Sequence, residues 1–196
     1  MLKPVGIKIT STQCSASEEL YETFFGSDRT QTEEDDTLLA ALERPVTERL
    51  DERWLREEPD DAEEDVMEVF AEGSLLVSEG DVRLTYRERD AEGNAEVRTV
   101  LSFAPQNPAY VTMSRTGAVN TAFIFEVGKH TKCVYDLTFG AMELTVFTVS
   151  VDNRLVEDGA LTLDYCIEIR GADVEHRRVK IELSDRAPVR VPRERS

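Results

Sequence analysis

Apolar residues recur at every second position over most of residues 66–183, and that rhythm leaves few folds open to the chain. It is clearest between Leu161 and Ile169. There Leu161, Leu163, Tyr165, Ile167 and Ile169 fall in one phase, and Thr162, Asp164, Cys166 and Glu168 fall in the other. Successive side chains of a strand project to opposite faces, so a period of two calls for one dry face and one wet face. A helical stripe would instead repeat at three and four. Many such strands joined by short turns bury their dry faces most economically as an antiparallel barrel or sandwich.

The pattern predicts a first strand over residues 5–12, with Val5, Ile7 and Ile9 on one face. Further strands are expected at 66–77, 82–87, 96–103, 109–114, 122–127, 132–137, 141–151, 160–170 and 174–183. Turn chemistry separates them. It is carried by Asp90-Ala91-Glu92-Gly93-Asn94, Pro105-Gln106-Asn107-Pro108, Gly128-Lys129, Phe139-Gly140, Asp158-Gly159 and Gly171-Ala172-Asp173. The expected fold is all-β: an antiparallel barrel of about eight to ten strands. Residues 1–184 form one domain in this reading, and residues 185–196, rich in Arg and Pro, form a mobile tail.

The rhythm breaks over residues 15–65, and the charge changes with it. This segment holds 19 of the 40 acidic and 5 of the 23 basic residues, a net of −14 out of −17. It reads as an acidic insertion between the first and second strands, partly helical or disordered. Ser15 with Glu18 and Thr30 with Glu33 fit the capping-box spacing and precede short helices expected at 18–25 and 33–44. Pro45 should stop the second. A third helix is expected at 47–58, with Leu50, Trp54 and Leu55 on one stripe suited to plugging a barrel end.

Charge and composition restrict partners. Phosphate recognition needs clustered Lys and Arg, so nucleic acid is not an expected partner. The acidic segment is suited to a basic protein partner or simply to solubility. No apolar run approaches the roughly 20 residues of a membrane-spanning helix, and the first residues lack an apolar stretch of signal-peptide length. Three widely spaced cysteines (Cys14, Cys133, Cys166) without a Cys-x-x-Cys suggest a reduced, cytoplasmic protein with small buried thiols. Cys133 and Cys166 are candidates to face each other on neighbouring strands. Only two histidines occur: His130 is expected in a turn and His176 on the wet phase of its strand. That ligand count argues against a metal site, and no glycine-rich phosphate loop is present, so no cofactor is expected.

Several short patterns, taken in order, resemble the YwiB-like family, catalogued as domain of unknown function 1934, whose fold is a calycin (lipocalin-like) β-barrel. Leu84-Thr85-Tyr86-Arg87-Glu88 resembles its strand ending in Tyr-x-Glu, and Arg115-Thr116-Gly117 its Arg-x-Gly turn. Phe125 to Gly128 resembles a Phe-x-x-Gly turn. Tyr135 to Gly140, followed by Met142-Glu143-Leu144, is similar to a Tyr-x-Thr-x-aromatic-Gly hairpin. Thr148 stands where the family often has Thr, and Leu161 to Gly171 fits its last long strand motif. The chain departs from the pattern at Leu137, where a small hydroxyl residue is expected, and in the length of its acidic segment. The resemblance implies a fold and no activity.

The candidate ligand residues are Tyr86, Glu88, Arg115, Tyr135, Thr148 and Tyr165. The three tyrosines lie in apolar phases, where a buried phenol needs a polar partner, and Arg115 is read as the start of a tight turn. Glu88, Glu143 and Glu168 are strand carboxylates suited to acid–base work if buried together, and otherwise to cross-strand pairing. Three functions are weighed in this order: a barrel binding a small molecule in or at its mouth, a protein-interaction module using the acidic insertion, and an enzyme of unknown class. No catalytic residue is assigned, and the sequence leaves the oligomeric state open.

Overall fold

The computed structural model of the chain describes residues 1–15, 65–89, 96–137, 140–169 and 173–185. The helices expected at 18–25, 33–44 and 47–58 and the tail from residue 186 onward lie outside the described residues, as do parts of the turns at 90–94, 139 and 171–173. Ten strands form: β1 Leu2–Ser15, β2 Asp65–Val77, β3 Val82–Arg89, β4 Glu96–Ala104, β5 Asn107–Gly117, β6 Val119–Phe125, β7 His130–Leu137, β8 Gly140–Arg154, β9 Ala160–Ile169 and β10 Asp173–Ser184. Each pairs antiparallel with its neighbours in sequence, and β1 also pairs with β10, which closes the barrel. No helix among the described residues is long and apolar enough to cross a membrane.

Two corners differ from expectation. Pro108 belongs to β5 rather than to a loop. The first β5–β6 pair is Val111–Phe125, so the missing N–H of Pro108 costs no bond to β6. Arg115 lies inside β5, and the chain turns only after Gly117, whose φ of 128° suits glycine. Arg115 therefore faces the neighbouring strands at a fixed register, opposite Thr99 on β4 and Thr121 on β6.

The dry phase points inward, as the rhythm requires. Val5, Ile7, Leu75, Val82, Leu84, Leu101, Val111, Phe125, Leu161, Leu163 and Ile181 are almost fully buried. They cluster at the end of the barrel where β1 begins and β10 finishes. Leu155, just beyond β8, packs into the same end. Gly73 is the tight point of the wall. A Cβ there would stand 2.5 Å from the Thr85 carbonyl oxygen and 2.6 Å from Ile7 Cδ1, so only glycine lets β3 and Ile7 approach β2 this closely. Gly73 sits opposite Tyr86, the first polar-tipped ring above the apolar floor.

Candidate functional site

Above that floor the inner wall turns polar. Alternation along β3 carries Val82, Leu84, Tyr86 and Glu88 to the same face, so the strand that closes the core ends in a carboxylate. The ladder Tyr86–Thr99–Arg115–Thr121 crosses β3, β4, β5 and β6. Arg115 Nη2 donates to Glu88 Oε1 at 2.6 Å, and Thr99 Oγ1 donates to the same oxygen at 3.0 Å. Thr99 is fully buried, and the Glu88 side chain keeps 12% of its surface exposed. The ion pair thus stands at the boundary between core and solvent.

A second polar group stands across the barrel. Tyr165 pairs with Thr148 on one side and with Arg177 on the other. Arg177 donates through Nε (3.0 Å) and Nη2 (2.6 Å) to Glu175 Oε2. The Tyr165 ring packs on Phe125, with centroids 5.0 Å apart. The hydroxyl of Thr148 is fully buried and has no hydrogen-bond partner among the described residues.

The two groups sense each other electrostatically. Burial pushes the Tyr165 phenol up, and the Arg177 and Arg115 charges only partly oppose that. Burial and the Glu88 carboxylate push the Tyr86 phenol well above its ordinary range. Both rings therefore stay neutral and keep an O–H to donate. Burial would lower the Arg115 guanidinium, but the Glu88 carboxylate and the phenols of Tyr135 and Tyr86 more than offset it. Arg115 is a permanent cation there.

All six candidate ligand residues thus line the inner wall on the mouth side of the apolar floor. The strand carboxylates separate. Glu88 is inside, Glu143 is outside and pairs with exposed Lys132 at 3.4 Å, and Glu168 shares the outward phase of Cys166. Cys133 and Cys166 do not face each other. Cys133 points inward on β7, Cys166 points outward on β9, and β8 runs between them. None of the three cysteines is in a disulfide. His130 opens β7 rather than sitting in a turn, with its ring 4.8 Å from that of Phe147.

A family model, that of a domain of unknown function (DUF1934), matches residues 56–181. The chain belongs to the DUF1934 family. Uncharacterized beta-barrel protein YwiB of Bacillus subtilis (strain 168) is 30% identical to this DUF1934 chain over 118 residues, which are 60% of this chain and 79% of that protein. The crystal structure of ywiB protein from Bacillus subtilis matches with a TM-score of 0.55 at 18% identity, covering 93% of each chain. At that identity the likeness speaks for the fold alone.

Three residues of this DUF1934 site escape a first reading of the sequence: Thr99, Glu175 and Arg177. Each had a signal. Thr99 lies between Val97 and Leu101 in a dry phase, and Glu175 and Arg177 share the phase of Val179 and Ile181. His176 faces outward, as its phase requires, but it is not a free surface group. Its Nε2 donates to Asp164 Oδ1 at 2.6 Å, and Arg178 Nε donates to Asp164 Oδ2 at 3.1 Å. Among the described residues no group of three or more His, Cys, Asp or Glu side chains is arranged as metal ligands.

Two outcomes are expected. Arg115→Met should lower the unfolding free energy by about 2–3 kcal/mol, because it strands the Glu88 carboxylate near the core. Pairing it with Glu88→Gln should recover much of that loss. Urea denaturation of the two single variants and the double variant measures this, and strictly additive losses would contradict a coupled pair. The second outcome concerns pH. Burial alone would raise the Asp164 carboxyl, but the His176 hydrogen bond and charge, with Arg178, outweigh it and hold the group below the usual carboxylate range. A carboxyl lowered by folding stabilises the protein above its unfolded pKa, and that stability is lost as pH falls through the folded value. Urea midpoints should therefore fall as the pH drops below about 4, and Asp164→Asn should flatten that limb. An unchanged acid limb in the variant would contradict the assignment.

Proposed function

We propose that the polar mouth of the barrel binds a small molecule that bears several hydroxyl or amide groups and no net charge. The observation that carries this reading is the inward-facing Thr148 hydroxyl, buried beside Tyr165 on the inner wall and without a hydrogen-bond partner among the described residues. A buried hydroxyl without a partner loses its hydration for nothing in return, so a ligand group bonded there would gain free energy. The charges favour a neutral ligand. Arg115 is matched by Glu88 and Arg177 by Glu175, so neither guanidinium stands as a bare charge to attract an anion. The neutral phenols of Tyr86 and Tyr165 and the ring of Tyr135 offer apolar faces and hydroxyl edges, the combination that holds sugar-like or nucleoside-like molecules.

The test is a thermal-shift panel of neutral monosaccharides, polyols and nucleosides against carboxylates, phosphates and polyamines of similar size. A neutral compound at about 100 times its dissociation constant should add about 2.7 kcal/mol and raise Tm by several degrees. Thr148→Val, which removes the hydroxyl and keeps the shape, should abolish most of that shift. A panel without any neutral hit, or a hit that Thr148→Val leaves unchanged, would overturn the reading.

A further inference from the structure

The outer wall carries a second constellation, separate from the barrel interior. Cys14 on β1 lies opposite His176 on β10, and His176 lies opposite Cys166 on β9. Two residues along, Arg178 lies opposite Asp164. All of these residues share the outward phase, so three strands present Cys14, His176 and Asp164 side by side.

We propose that Cys14, His176 and Asp164 form a thiol-activating relay through which Cys14 is oxidised by small hydroperoxides. The hydrogen bonds fix its direction. The Asp164 carboxylate accepts, so His176 carries a proton on Nε2 and donates it at 2.6 Å. The other ring nitrogen, Nδ1, then presents its lone pair to Cys14 Sγ at 3.9 Å. The thiol donates to Nδ1, and proton transfer gives a thiolate beside an imidazolium whose charge Asp164 balances. Arg178 also bonds Asp164, so the carboxylate is held in place before any reaction. A His–Asp pair serving stability alone would not need its free nitrogen directed at a sulfur on a third strand.

The neighbouring groups concentrate the reactivity on Cys14. Burial, with added repulsion from Asp164, pushes the Cys166 thiol up to about 12, so it stays protonated. Burial also raises Cys133, on the inner wall. Phe147, opposite Cys166, is buried as well, and Cys14 keeps 7% of its surface exposed. A small hydroperoxide is the oxidant proposed for a sulfur this enclosed. In the reaction the thiolate sulfur attacks one peroxide oxygen. The S–O bond forms as the O–O bond breaks, and the departing hydroxide or alkoxide takes the proton from His176 Nδ1. Cys14 becomes a sulfenic acid, the hydroperoxide becomes water or an alcohol, and His176 returns to neutral. Thiols restore the reduced state.

The test uses the full chain treated with one equivalent of hydrogen peroxide at pH 7, with dimedone to trap sulfenic acid and peptide mass spectrometry to locate it. Cys14 should be labelled, and Cys133 and Cys166 should not. His176→Gln and Asp164→Asn should each slow labelling at Cys14 by about tenfold or more, the equivalent of one unit in thiol pKa. The same variants should move the pH midpoint of iodoacetamide capture at Cys14 upward, a shift that loss of packing alone would not produce. If Asp164→Asn does not fold, His176→Gln carries the comparison. Labelling of Cys14 no faster than of Cys133, or a midpoint that neither variant moves, would overturn the proposal.

Discussion

The contact on which the rest of the structure depends is the double pairing of β1. On one side β1 runs against β2 from Leu2–Leu76 to Gln13–Asp65, and on the other it runs against β10 from Gly6–Ser184 to Ser15–Glu175. Without the second ladder, β1 and β10 would each present a row of unpaired N–H and C=O groups. The dry faces would also open to water, since a single sheet has no second layer to cover them. Closure solves both problems together, and it places every odd–even connection at one end of the barrel and every even–odd connection at the other.

That division of ends generates the site. Strands entering the floor contribute Leu84, Leu101, Val111, Leu163 and Ile181. The same strands, followed toward the mouth in steps of two, arrive at Glu88, Thr99, Arg115, Tyr165 and Arg177. One period-two rule therefore yields an apolar plug and a polar ring above it. Charged groups near a core carry a desolvation penalty, and here each has a matched partner and remaining contact with solvent. The Glu88–Arg115 pair also fixes register. A one-residue slip of β3 or β5 would send one partner to the outer face and leave the other unpaired inside.

Much of this was legible from the residues. The strong alternation of β9 gave its phase, and Tyr86, Tyr135 and Tyr165 betrayed themselves as polar-tipped rings in dry phases. Other features were masked by local composition. In β10, Val174 is apolar in the outward phase while Glu175 and Arg177 are charged in the inward one, so the local rhythm is inverted until Val179. Arg115 precedes a glycine, which suggests a turn, yet the strand continues to Gly117 because its partners on β4 extend to Val97. The expected approach of Cys133 to Cys166 depended on strand order as well as phase, and β8 lies between them. The same dependence hid the line of Cys14, His176 and Asp164. Cys14 lies 162 residues from His176 in sequence, and only closure of β1 on β10 brings it to the His176–Asp164 pair.

Closure can be measured directly by cross-strand nuclear Overhauser contacts from β1 in a single sample of the full chain. A closed barrel gives contacts from Ile9 to Val69 on β2 and to Ile181 on β10 at once, with equal persistence. Contacts from Ile9 to only one of these two strands would mean an open sheet, and with it neither the sealed floor nor the polar mouth would stand.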